Sequence, residues 1–500
     1  MSVKVPVLVV VAFVAMSLSW VFANPPGSAP DETAHYVKAL AAGRGEMHLT
    51  ETPPPDPAAE QTPQRRWQDR TARLVQVPAQ LDPRGLQCSS FVPELSAGCL
   101  LNGPPGQDSA LPTIVGTYQP YVYVVPGLLM RAASDPFSAT RLGRLGFWLV
   151  SVVMISLAVL LLWSPGDRGF SLLGLVLAVT PMVMFMSSTL SANGIEICAG
   201  ICFLAGAIRL SRGDDEKTWV WVATAVSGAL MILSRSTGVL WTGLDALVVL
   251  AMVGRRGVRA IVADGGRRAT GAALALGTAA VASVGWELAV QPRPQRSITA
   301  AVRSVPSELR DLPEIYRQGI GVFGWLDTYL HPAGYWLWTG LLVVVVALAL
   351  LVARRRQRWV LGGLMAAVVV VTVGLALLNR PTGFGVQARY VLAFVVALPL
   401  VAGETLFARR SRLGELEPRS LPLLAAIVMA LIQVGAWYVN ARRYAVGVGG
   451  PRLFFADAEW RPPLGWAPWL ALTLFGAAAL VAAAALAGRR SSSSGAMLET

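Results

Sequence analysis

Charge is what this 500-residue sequence has least of. Charged side chains make up 14% of it, against about 25% in soluble domains, and that excludes an ordinary soluble fold. Three histidines and four cysteines are too few for the Cys/His sets of structural zinc or iron–sulfur sites, so any metal would rest on carboxylates. No G-x-x-x-x-G-K-S/T loop, G-x-S-x-G elbow or H-E-x-x-H helix occurs, which removes P-loop ATP hydrolysis, elbow-type serine hydrolysis and zinc proteolysis.

What is abundant is apolar surface: 54% hydrophobic residues and a mean hydropathy of +0.54. Reading apolar runs of about 17–25 residues as spans gives thirteen candidates. They are 5–23, 113–131, 145–163, 170–186, 191–210, 218–233, 238–253, 269–290, 333–352, 359–378, 390–407, 421–438 and 465–486. The expected fold is an all-α polytopic membrane protein with about 12–13 transmembrane helices and a large first extracytoplasmic loop. Its parts are a first transmembrane helix (1–23), a loop lobe (24–112), transmembrane helices (113–290), a second external loop (291–332), C-terminal transmembrane helices (333–488) and a disordered cytoplasmic tail (489–500).

The basic excess of +13 fits cytoplasmic loops better than nucleic acid, because Lys and Arg collect there. Clusters at 255–268, 354–358, 409–419 and 489–490 fall in alternate loops, which places 291–331, 379–388 and 440–464 outside, with the N-terminus cytoplasmic. The first loop holds ten acidic and seven basic side chains; it is net −3 while the remainder is +16. With both termini inside, the number of crossings is even. Either 113–131, broken by Gln119, Pro120 and Pro126, falls short of a span, or one of the two candidates between 145 and 186 does. The run 5–23 also has a passable signal cleavage site at Val21-Phe22-Ala23.

Directly after the first span comes Asn24-Pro-Pro-Gly-Ser-Ala-Pro-Asp-Glu-Thr-Ala-His. A helix opened by Pro30 would put Asp31 or Glu32 on one face with His35. That set suits general-base work or a divalent cation held by Asp31 and Glu32; the plainer reading is acidic residues complementing the helix dipole. Arg389 lies at the outer end of a span, where the positive-inside rule does not explain it. It either snorkels or, with Arg380 in the same loop, meets a lipid-linked phosphate. Arg235 interrupts two apolar runs and is a functional suspect on that ground. Trp325 and Asp327 sit in an aromatic stretch with Tyr329, Tyr335, Trp336 and Trp338, which reads as an interfacial belt or as a sugar-binding cleft. Cys88 and Cys99 share the first external loop, an oxidising setting that favours a disulfide. Cys198 and Cys202 lie one turn apart inside a span and read as packing residues.

Four short stretches carry a resemblance: Ala29-Pro-Asp-Glu-Thr-Ala-His, Tyr118-Gln-Pro-Tyr-Val-Tyr, Phe323-Gly-Trp-Leu-Asp-Thr and Gln387-Ala-Arg-Tyr. In order and spacing they resemble the bacterial membrane family called domain of unknown function 2142, which is grouped with the GT-C superfamily of glycosyltransferases. The resemblance implies that the first helix is retained, in a bacterial plasma membrane. It further implies sugar transfer from a polyprenyl-phosphate donor to a cell-envelope glycan or lipid acceptor on the extracytoplasmic side. Asp31 or Glu32 would take the acidic role, His35 would orient it, and Arg389, Arg380, Tyr390, Asp327 and Trp325 would bind substrate. A Mg or Mn ion is the implied cofactor. The chain departs from the superfamily where a second external acid is common: the run after Pro181 offers Asn193, with Glu196 three residues on, which puts metal dependence in doubt. A transporter or flippase of lipid-linked saccharides, or a non-catalytic envelope scaffold, would share the spans without needing the acid at the first helix exit.

Overall fold

The computed structural model describes residues 3–54, 62–102, 106–213, 217–292, 298–416 and 418–489. The tail expected to be disordered lies, beyond Arg489, outside the described residues.

Helices dominate, as the long apolar runs require. In chain order they are α1 (Lys4–Ala23), α2 (Glu32–Gly43), α3 (Pro63–Thr71), α4 (Val124–Met130), α5 (Pro136–Leu162), α6 (Phe170–Ala178), α7 (Pro181–Ser187), α8 (Ala192–Arg212) and α9 (Thr218–Ile232). The second half supplies α10 (Gly238–Gly265), α11 (Arg267–Val290), α12 (Ile298–Gly321), α13 (Pro332–Val352), α14 (Arg355–Asn379), α15 (Ala388–Val395), α16 (Ala397–Arg409), α17 (Leu421–Val446) and α18 (Ala467–Arg489). Strands β1 (Thr50–Glu51), β2 (Arg73–Val77) and β3 (Ser109–Thr113) form an antiparallel sheet in the lobe, and β4 (Val322–Phe323) pairs with β5 (Thr328–Tyr329).

Contacts sort the connecting segments into two ends. At one end the lobe meets the other loops expected outside: Arg443 donates to the carbonyls of Leu95, Ser89 and Val92, and the Val448 amide donates to Pro93. At the other end Arg212 donates to the Leu162 carbonyl and pairs with Glu404 at 2.6 Å. There too Arg356 reaches the Val253 carbonyl and Arg412 the Val352 carbonyl. The basic clusters and the acidic lobe are therefore at opposite ends.

Between these ends the described residues run twelve times. Among the described residues, nine helical segments are long and apolar enough to cross a membrane, and α6 with α7 makes a tenth, bent by 68°. The remaining two traverses are α9, only 15 residues long, and α10, whose far end carries charge. An even number of traverses results, with Val5 of α1 and Ala487 of α18 lining one small cavity at the same end.

The run 113–131 is not a span. Its first residue closes β3, and its only α-helix is the seven-residue α4. Pro120 and Pro126 cannot donate to a continuous helix, and α4 instead packs across α2 and α5 at the lobe end. A Cβ at Gly127 would collide with the backbone of Gly43, and one at Gly146 with Pro126. These close approaches require glycine.

Cys88 and Cys99 are bonded, closing a short loop of the lobe. Removing a cross-link of this length costs roughly 3 kcal/mol in chain entropy. The double change Cys88→Ser/Cys99→Ser should therefore raise proteolysis and amide exchange across 84–100 while leaving the helices protected. Unchanged protection there would mean that the lobe does not depend on the bond.

Candidate active site

After α1 the chain turns sharply. Asn440 donates to the Asn24 side chain at 2.6 Å, and the Tyr444 hydroxyl donates to the Ser28 carbonyl at 2.8 Å. Gly27 sits at φ +76°, with its Cα against the Leu86 carbonyl, so no side chain fits there. Asp31 follows Pro30 and takes φ 63°, left-handed backbone in a residue with a Cβ. Such strain collects where surroundings over-determine a conformation for function. The Asp31 carbonyl accepts the His35 amide at 3.0 Å, which starts α2.

This turn aims the Asp31 carboxylate at Arg389, in the first turn of α15. Arg389 Nη2 meets Asp31 Oδ2 at 2.6 Å and the Tyr390 hydroxyl at 3.3 Å, while Nη1 donates to the Pro30 carbonyl at 3.0 Å. The α15 start is pinned by Asn193, which donates to the Arg389 carbonyl, and by Gln318, which accepts the Ala388 amide. Arg389 is 4% exposed and Asp31 29%; the guanidinium is fixed and the carboxylate opens to space. That space is a cleft of about 720 Å³ between the bundle and the lobe, with Asp31, Arg389, Tyr390 and Trp325 in its wall. Burial raises the Asp31 carboxyl, but Arg389 and its neighbours outweigh it and hold the group below the usual carboxylate range.

Of the other residues singled out in the sequence, several lie elsewhere. Glu32 is 1% exposed and faces the bundle, where Arg144 grips both carboxylate oxygens at 2.6 and 2.7 Å and the Leu190 amide adds a third bond. It therefore has no access to substrate, contrary to the catalytic role expected of it. Nor do Asp31 and Glu32 share a cation site: one carboxylate is on Arg389, the other on Arg144. Among the described residues no three His, Cys, Asp or Glu side chains converge as metal ligands, so the donor set does not fit the implied Mg or Mn ion.

His35 is buried behind Asp31 with its Nδ1 2.6 Å from the Tyr123 hydroxyl. Desolvation pushes its pKa down to about 3, so the imidazole stays neutral and supports the site from behind. Asp327 pairs with Arg443 at 3.0 Å and accepts the Thr328 hydroxyl; it ties down a loop rather than lining the cleft. Arg380 is exposed and pairs with Glu308, outside the cleft wall. Trp325 does line it, with its indole N–H on the Gly27 carbonyl at 3.0 Å. Arg235 lies beneath, stacked on Tyr390 and Tyr118 and 3.8 Å from the buried Glu196.

Next to the cleft, and sharing α15, is an apolar cavity of about 210 Å³. Val391 and Leu392 line it with Ile315 and Tyr316 of α12 and Trp338 of α13.

The family model described as "Predicted membrane protein (DUF2142)" matches residues 14–398, which includes the second half of α1, Asp31 and Arg389. The chain belongs to the DUF2142 family. No curated protein matches this DUF2142 chain. Among solved structures, ArnT from Cupriavidus metallidurans in the apo state is similar at 14% identity and a TM-score of 0.44, over 97% of this chain and 76% of that one. The oligosaccharyltransferase AglB from Archaeoglobus fulgidus, in complex with an inhibitory peptide and a dolichol-phosphate, is similar at 13% identity and a TM-score of 0.35, over 90% and 57%. With scores under 0.5, neither likeness bears on what this DUF2142 protein does.

Five contributors to the site escaped the sequence reading. Arg144 stands at the outer end of an apolar helix, the same anomaly that marked Arg389. Gln64, Gln68, Gln87 and Phe91 of the lobe also line the cleft and carry no local signal, because they reach it only through the tertiary fold.

Proposed function

We propose that this DUF2142 protein is a membrane glycosyltransferase that moves a sugar from a polyprenyl-phosphate donor to a cell-envelope acceptor at the extracytoplasmic face of a bacterial plasma membrane. The N-terminus is cytoplasmic in this reading, which the basic clusters opposite the lobe support. One observation carries it: an Asp–Arg pair in the wall of a large cleft, with an apolar cavity lined by the arginine's near neighbours on its own helix, Ala388, Val391 and Leu392. That juxtaposition suits a ligand with an anionic head and a hydrocarbon tail.

Arg389 receives the donor phosphate, for which a planar fork of donors is well shaped. Phosphate then competes with Asp31 for the guanidinium. Loss of its cation and the approach of an anion both raise the basicity of the carboxylate, so donor binding arms the base. The acceptor oxygen attacks the anomeric carbon as Asp31 takes its proton; the sugar–phosphate bond breaks, and polyprenyl phosphate leaves with its charge on Arg389. A single displacement inverts the anomeric centre.

The test is sugar transfer in membranes supplied with labelled polyprenyl-phosphate sugars. Label should enter an envelope fraction. Arg389→Ala should lower the rate about 10²-fold, the scale of losing one donor to a developing oxyanion, with Arg389→Lys in between. Label carried across the membrane but not transferred would replace this reading with transport.

A further inference from the structure

We infer that the lobe-side wall of the cleft is an acceptor subsite for an uncharged glycan. The inference rests on the glycosyl-transfer reading and adds the class of acceptor. The two walls differ in chemistry. The bundle side offers the Asp31–Arg389 pair, whereas the lobe side offers the amides of Gln64, Gln68 and Gln87 and the ring of Phe91, with Trp325 of the second external loop beside it.

Gln64 and Gln68 are four residues apart on α3, hence on one face. Gln87 is oriented by a hydrogen bond to the Thr33 hydroxyl, which also lines the cleft. A carboxamide both donates and accepts, as a sugar hydroxyl does, so a row of them matches a polyhydroxyl ligand without calling for charge. Phe91 is 72% exposed, which is costly for an aromatic side chain in water, and its ring lies 4.6 Å from that of Trp325 at an angle of 55°. The pair forms an apolar platform beside the amides, the complement of the C–H face of a sugar ring.

Other acceptor classes fit less well. The lobe wall's cation, Arg84, is engaged by Asp82 at 2.8 Å, which leaves little attraction for an anionic polymer. The cleft-lining strand β3 presents Leu111 and Pro112, and proline lacks the N–H that strand addition by a peptide would use. The wall is also built rather than loose. The Cys88–Cys99 bond brackets Phe91. Of the five non-glycine residues with left-handed φ among the described residues, three (Asp31, Phe91 and Leu326) line this cleft.

Saturation-transfer difference NMR on the purified full-length protein, without donor, tests the subsite. The probes are neutral trisaccharides of mannose, galactose and arabinose, with trigalacturonate as the anionic comparison. At least one neutral trisaccharide should receive saturation. The signal should fall about five-fold or more in Gln64→Ala/Gln68→Ala, the scale of losing a hydrogen bond, and in Phe91→Ala, where the exposed ring leaves no buried void. Silence from all neutral probes at millimolar concentration, equal signals in the lobe variants, or preference for trigalacturonate would overturn the inference. Neutral-glycan binding that depends on these side chains, in a protein that transfers no sugar, would uphold the subsite while removing the enzymatic reading.

Discussion

Asp31→Asn is expected to reduce sugar transfer by about 10²–10⁴-fold, the usual contribution of a positioned general base, with the fold retained but the melting temperature lowered, because the buried Arg389 loses its counter-charge. The amide oxygen can still accept from Arg389, which holds Asp31 at 2.6 Å, so the turn keeps its shape; what disappears is the capacity to take a proton. The pH profile sharpens this. Asp31 acts ionised, and its carboxyl is held below the usual carboxylate range, so activity is lost only as pH falls through that lowered value. The acid limb of kcat/KM, which reports free enzyme, should therefore lie below the range of an ordinary aspartate. The limb of kcat should lie higher, because bound donor draws Arg389 away. A kcat/KM limb near neutrality, or an Asn variant that retains its rate, would rule out Asp31 as the base.

The second large effect is on folding. Arg144 is wholly buried and spends its donors on Glu32, on the carbonyls of Val21, Asn24 and Pro25, and on Ser28. It is the clasp that holds the chain's turn from α1 towards Asp31. Arg144→Ala strands the Glu32 carboxylate without a cation, which costs about 3–5 kcal/mol, and should sharply lower the yield and melting temperature of the detergent-solubilised protein. Pairing Arg144→Met with Glu32→Gln removes the stranded charge and should recover part of the loss. Recovery stays incomplete because three carbonyls lose their donor. Glu32→Gln alone should lower stability yet leave the rate per folded molecule within about two-fold, since an interaction absent from the reacting atoms does not enter the barrier. A melting temperature unmoved by Arg144→Ala would show that the clasp is dispensable.

The membrane architecture was legible because length and apolarity fix spans one at a time. The exception, 113–131, fails through its prolines and through Gly127 against Gly43, a tertiary contact that hydropathy does not register. At the site, Arg389 stood out because a cation at the outer end of a span has no cytoplasmic explanation. The division of labour between Asp31 and Glu32 was hidden by where the helix begins. A helix opened at Pro30 puts both acids in its first turn; the actual helix starts at Glu32. Asp31, left-handed just before it, points to Arg389 while its neighbour points to Arg144. Asp327 was misjudged for a similar reason: two residues beyond Trp325, past the left-handed Leu326, it turns to Arg443. The lobe glutamines could not be read at all, since 62–102 reaches the site only through tertiary contacts, such as Gln87 with Thr33 and Ser89 with Arg443.

The left-handed positions around the cleft also bear on how this protein would respond to engineering for robustness. Glycine adopts that backbone without the steric cost a Cβ imposes, so Phe91→Gly or Leu326→Gly relieves local strain in the folded chain. Each replacement also enlarges the freedom of the unfolded chain and strips a side chain from the cleft wall. Stabilising this protein and preserving its cleft are therefore competing aims at those positions, and substitutions for durability belong on the far side of the bundle.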